Sequence, residues 1–206
     1  MAKADLHLHS IYSERPSDWF MQKAGAAESY TDPQWLYKAA KEQGMTFVTI
    51  TDHQCIDGAL LLQEKHPDDV FVGVETTTRF PEDGCQVDVL IYGLTADDFE
   101  DVQRLRGDVY DLRDFLKARD LAHSVAHLTY AVNDRLTIEH VEKLILLFDV
   151  FEAINGGRNQ TNNELCRRIL GGLTPAMIED LYRKHRIEPF SADPWVCLLY
   201  TSPSPR

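Results

Sequence analysis

The stretch Asp5-Leu6-His7-Leu8-His9-Ser10 decides the reading of this chain. It reads as a strand, and alternate strand residues point the same way, about 6.6 Å apart along the chain. Both imidazoles can therefore reach one metal ion, and imidazole is the commonest side-chain ligand for such ions. A ligand pair at a strand end is also a natural start for a catalytic metal site in a barrel, whose active sites collect at the carboxyl ends of the strands.

Outward from this pair, strand-like apolar runs alternate with helical patterns. The strand candidates are 4–9, 46–51, 70–74, 87–92, 123–127 and 150–154. Asp32-Pro33 opens a helix with a capping residue and a first-turn proline, and Gly44 closes it. Further helices are expected over 95–104, 109–119, 138–148, 162–170 and 175–185 from apolar spacing and from Thr95, Thr137 and Thr174 as caps. This alternation argues for an α/β fold of βα units around a parallel sheet. One long irregular stretch, 11–31, includes Arg15-Pro16-Ser17-Asp18-Trp19-Phe20 and is expected to lie over the site, because long loops in compact domains are usually functional or disordered.

Further ligand candidates recur where strand candidates stop. Thr51-Asp52-His53 ends the second, Glu75 the third and His127 the fifth, while Asp88 lies on the fourth. In a parallel βα array these ends share one face. The mix of imidazole and carboxylate suits Zn, Mn and Fe, and one carboxylate can bridge two ions about 3.5–4 Å apart. Asp52 and Asp5 read as carboxylates that orient imidazoles or stabilise a turn. His123 reads as core or barrel lining, and His66, His140 and His185 as solvated. Arg15 is a candidate phosphate clamp, since guanidinium matches phosphate oxygens bidentately. Asn155-Gly156-Gly157-Arg158 could present backbone amides and a second cation to a substrate.

The chain has 206 residues, 44% of them hydrophobic, enough for a real core and consistent with one domain over 1–195. With 33 acidic against 21 basic residues, its net charge of -12 argues against nucleic acid and anionic membranes as partners. A phosphorylated small-molecule substrate would then need local positive charge, such as bound cations. No apolar run of roughly 18 residues offers a membrane span, and the start lacks a signal-peptide core, so a cytoplasmic protein is expected. The cysteines at 55, 85, 166 and 197 form no CxxC pair and are expected to be free thiols. Residues 196–206 fall into a Ser-Pro repeat and read as a non-native or disordered tail.

Taken in order, Asp5-Leu6-His7-Leu8-His9-Ser10, Thr51-Asp52-His53, Gly73-Val74-Glu75 and Ala126-His127 resemble the motifs of the polymerase and histidinol phosphatase (PHP) family of metal-dependent phosphoesterases. The stretches 12–19 and 80–85 look like the PHP segment at the front of longer proteins with a glycosyltransferase domain behind it. The resemblance implies a distorted seven-stranded β/α barrel, incomplete at its carboxyl end, with two or three divalent ions (Mn, Zn or Fe) in the complete domain. It implies His7 and His9 as ligands of one ion, Glu75 as the carboxylate bridging to a second, and His127 as a ligand of that second ion. It places His53 and Glu14 on the third. Asp88 stands where many members carry a histidine, and the closing Ser-Asp-x-His type motif is missing, so the chain reads as ending before its last ligands.

The expected activity is hydrolysis of a phosphate ester by metal-bound hydroxide, with His7, His9, Glu75 and His127 at its centre and Arg15 and Arg158 holding substrate. Two rival readings remain. One is a catalytically idle PHP module of a glycosyltransferase; the other is an amidohydrolase-like metal hydrolase, which likewise opens with His-x-His. A sugar- or nucleotide-binding module would leave the ligand array unexplained.

Overall fold

The computed structural model describes residues 2–13 and 29–191, together with the backbone of 197–200. The chain divides into two compact units, Met1–Thr77 with Leu90–Arg104, and Thr78–Val89 with Leu105–Arg206.

In the first unit, β1 (Ala4–Asp5) pairs in parallel with β2 (Phe47–Val48). Both are far shorter than the strands expected at 4–9 and 46–51. Past Asp5 the backbone bonds to side chains instead of a ladder. Leu8 N–H donates to Thr51 Oγ1 at 3.2 Å, and Ser10 N–H donates to Asp52 Oδ1 at 2.5 Å. The chain nevertheless stays aligned, because Thr51 N–H donates to Leu8 O at 2.8 Å. Single parallel bridges, Val48 to Val70 and His53 to Glu75, carry the pattern on to β3 (Gly73–Arg79). Leu8, Ile50 and Val74 are buried behind these segments.

Helix α1 (Pro33–Glu42) begins as its sequence dictates. The Asp32 carboxylate accepts from the N–H groups of Gln34 and Trp35, Pro33 supplies the preset first turn, and Leu36 and Ala40 face inward. Helix α2 (Asp57–Lys65) is absent from the sequence expectation: Ile56 before it makes no side-chain cap, and Ala59-Leu60-Leu61-Leu62 gives no amphipathic period.

Strand β4 (Gln86–Tyr92) follows β3 after a turn at 80–85, where Phe80 N–H donates to Cys85 O at 2.9 Å and Gly84 takes φ +72. Helix α3 (Ala96–Leu105) follows. In the second unit α4 (Val109–Ala118) starts at the Asp108 cap, and β5 (Ala122–Val125) pairs in parallel with β6 (Val150–Ile154). Between those strands α5 (Ile138–Leu147) opens with a capping box in which Thr137 and His140 exchange bonds. Helices α6 (Gln160–Gly171) and α7 (Pro175–His185) begin at Asn159 and Thr174, as their side-chain bonds require. Strand β7 (Cys197–Tyr200) lies inside the segment set aside from the sequence as a tail, and pairs in parallel with β6 from Val150 opposite Cys197.

The seven-stranded barrel expectation is met only in its coarser part, a mixed α/β fold. Among the described residues the strands form a two-stranded sheet and a five-stranded sheet of order β3-β4-β5-β6-β7, with no closed sheet. Two-residue strands and single bridges between the early segments do not make a continuous ladder, which is what barrel closure demands. What holds is a mixed α/β architecture. No helix of the described residues is long and apolar enough to cross a membrane.

Candidate metal centre

Four predicted ligands of the first unit converge. The Nε2 atoms of His7, His9 and His53 lie 3.0, 3.1 and 3.4 Å from one oxygen of Glu75, Oε2, and the first two are 3.1 Å from each other. His9 and His53 stack with centroids 4.8 Å apart, while His7 meets His9 edge-on. Glu75 is 1% exposed. So dense a set of lone pairs in a water-poor place is costly unless cations or protons offset it.

The local backbone explains the convergence. His53 is held by its bridge to Glu75, in which Gln54 N–H donates to Glu75 O and Glu75 N–H donates to Asp52 O. His53 N–H also donates to Ser13 Oγ at 3.0 Å. Asp52 takes both Ser10 groups, N–H at 2.5 Å and Oγ–H at 2.6 Å, tying the loop after the histidine pair to the segment that follows β2. Burial pushes the Asp52 carboxyl above its ordinary range, against the Ser10 bonds and the nearby His9 and His53. Its two oxygens fix the backbone and the hydroxyl of Ser10. The Nδ1 atom of His9 is buried without a hydrogen-bond partner among the described residues.

In the second unit Asp88 Oδ2 stands 3.7 Å from His127 Nε2, both residues being buried. His127 has φ 31, the left-handed region that a side chain rarely adopts. Its ring meets Tyr130 edge-on at 5.5 Å, and the Arg158 guanidinium lies 3.7 Å from the centroid of the same Tyr130 ring. The predicted turn at Asn155-Gly156-Gly157-Arg158 is present, with Gly157 N–H donating to Asn155 Oδ1 at 2.8 Å. Glu14 and Arg15 lie outside the described residues.

The other histidines meet their expectation only in part. His123 is buried as foreseen. His140, expected to be solvated, is 6% exposed, because it closes the α5 capping box and pairs with Asp83. His66 stacks on Tyr37 and bonds Gln34, and His185 pairs with Glu142, so neither is simply solvated. The thiols of Cys85 and Cys166 are free, with burial pushing both to about 11. Sequence reasoning passed over Glu152, a 2% exposed carboxylate inside β6; a lone acid in Val150-Phe151-Glu152-Ala153-Ile154 was the signal.

The fold is shared with solved structures of other proteins. Over 98% of this chain and 87% of the other, it superimposes with TM-score 0.56 at 14% identity on a protein from Bifidobacterium adolescentis assigned as a metal-dependent phosphoesterase. Over 82% and 84%, it matches an amidohydrolase from Chromobacterium violaceum, solved with sulfate and no metal, with TM-score 0.53 at 13% identity. An uncharacterized protein of Methanocaldococcus jannaschii is 35% identical over 79 residues, 37% of this chain; the match spans 44% of that protein's length, less than half. No family model matches the chain.

Proposed function

We propose that this protein is a metal-dependent hydrolase acting on phosphate esters, of the PHP type. The observation that carries the reading is the meeting of three imidazoles on one carboxylate oxygen, with separations of 3.0, 3.1 and 3.4 Å. Two donors each about 2.1 Å from one ion, at tetrahedral to octahedral angles, stand about 3.0–3.4 Å apart. The residues therefore fit a divalent cation, and their chemistry favours Zn, Mn or Fe over Mg or Ca. His7, His9, Glu75 and His53 would hold it. Asp88 and His127 are proposed as ligands of a further ion, and Glu14 as an oxygen ligand.

When bound, such cations lower the pKa of coordinated water toward 7 and offset phosphoryl charge. The chain's own groups do the remaining work. Buried Asp52 and Ser10 fix the backbone that aims His9 and His53, and Arg158, with Arg15, is proposed to orient the phosphoryl oxygens. Local positive charge is needed here, since the chain carries -12 overall.

The test is titration with Mn and Zn, followed by turnover of p-nitrophenyl phosphate, with His9→Ala alongside. Metal-dependent turnover is expected only in the parent; equal turnover in both proteins would refute the reading. The likeness to an amidohydrolase structure favours a second reading, hydrolysis of an amide-type bond at the same centre. Turnover of amide but not phosphate-ester substrates would select it.

A further inference from the structure

Glu152 sits mid-strand on β6, 2% exposed, and its Oε2 accepts two hydrogen bonds. One comes from the backbone N–H of His127 at 3.0 Å, the other from Asn155 Nδ2 at 2.9 Å. The first bond holds a residue whose φ of 31 is otherwise unfavourable for a side chain. The second holds the residue that organises the following turn. Asn155 Oδ1 accepts from Gly157 N–H at 2.8 Å, Asn155 O accepts from Arg158 N–H at 3.2 Å, and Asn163 exchanges two bonds of 3.0 Å with the Asn155 backbone.

The connection closes on itself. Arg158 lies on the Tyr130 ring, Tyr130 N–H donates to His127 O at 2.8 Å, and the Tyr130 ring abuts the His127 ring. One carboxylate oxygen thus sets both ends of a circuit that runs from an imidazole to a guanidinium. Using one atom for both makes each end depend on that atom.

We infer that Glu152 is a positioning residue that fixes His127 and the Asn155–Arg158 turn together, so that a ligand side chain and an anion-contacting side chain are aligned by one acceptor. The inference deepens the proposed function, since it rests on His127 as a ligand and Arg158 as a phosphate contact. It predicts acceptor geometry as the requirement. Glutamine can offer a carbonyl oxygen to both donors, and leucine fills the volume with no acceptor.

The experiment compares Glu152→Gln and Glu152→Leu with the parent by amide NMR of the metal-free protein, and by titration with Co2+ and with inorganic phosphate. Glu152→Gln is expected to keep the His127 and Gly157 amide signals near their parental positions and both affinities within a few-fold. Glu152→Leu should move both signals and weaken Co2+ by about 10- to 100-fold, with phosphate weakened in parallel. Asn155→Ala covers the case in which the leucine variant does not fold. It should shift Gly157 and Arg158 and weaken phosphate, yet leave the His127 amide and Co2+ affinity near parental values. Parental signals in Glu152→Leu overturn the inference, as do equal losses in the glutamine and leucine variants, which would make charge and not acceptor geometry decisive. If Co2+ fails to bind even the parent, the proposed function falls, while the metal-free amide signals still decide the role of Glu152.

Discussion

A β-carbon on Gly58 would stand 2.7 Å from Oδ2 of Asp52, and 2.8 Å from Ser10 Oγ. Both atoms are already committed to each other in a 2.6 Å bond, so neither can swing aside without breaking the tie that aims the histidine loop. Gly58→Ala is therefore expected to destabilise the fold by about 1–3 kcal/mol, the usual range for overpacking. Thermal or urea unfolding checks it, and a variant as stable as the parent would refute the close-packing account.

Removing the charge at the centre should act on metal more than on the fold. Glu75→Gln leaves an amide where three imidazoles meet, and Mn or Zn affinity is expected to fall at least as far as the about 10- to 100-fold typical of lost supporting partners. Calorimetric titration of parent and variant reads this directly. Unchanged affinity would remove Glu75 from the ligand set.

Acid should weaken the second unit through His123. Burial pulls its pKa below the ordinary 6.5, against the opposing effects of the Leu121 carbonyl bond and Asp149. Below about 6.5 the unfolded chain takes up the proton before the folded one does, so stability falls as pH drops through that value; above it both states are neutral and His123 contributes no slope. Denaturant midpoints between pH 7.5 and 5 should fall on acidification, with a shallower slope in His123→Gln. Equal slopes would assign the effect elsewhere.

The α5 cap offers an independent stability test. Thr137 Oγ1 accepts from His140 N–H, and His140 Nδ1 accepts from Thr137 N–H at 3.1 Å. Thr137→Ala should cost about 1 kcal/mol. Because His140 also pairs with Asp83 at 3.1 Å, this variant should loosen the β3–β4 turn, visible as faster amide exchange at 83–85.

Legibility in the sequence followed the strength of local signals. Capped helices such as α1, α5 and α7 were readable because Asp32, Thr137 and Thr174 announce their starts, and β6 coincided with its expected span. Helix α2, with no cap and a block of apolar residues, carried no such signal. The gathering of His7, His9, His53 and Glu75 was foreseeable from strand-end positions alone. Strand length was not: the side chains of Thr51 and Asp52 take over backbone groups of Leu8 and Ser10, a competition visible only in three dimensions. For the same reason the described residues form no closed sheet, and the barrel expectation is met only as a mixed α/β fold. Glu152 escaped because the backbone N–H of His127 and the Asn155 amide that bond it leave no spacing pattern.

The turn at 80–85 has a practical side. Loop tips are the usual places to insert a tag or a fluorophore, but this one is pinned from several directions: Asn133 donates to Gly84 O, Arg135 to Asp83 O, and Tyr110 and Lys143 to Glu82. An insertion there would pull on α4 and α5 at once. Gly107, where an added β-carbon would meet nothing within 4 Å, is the safer port for a reporter in this protein.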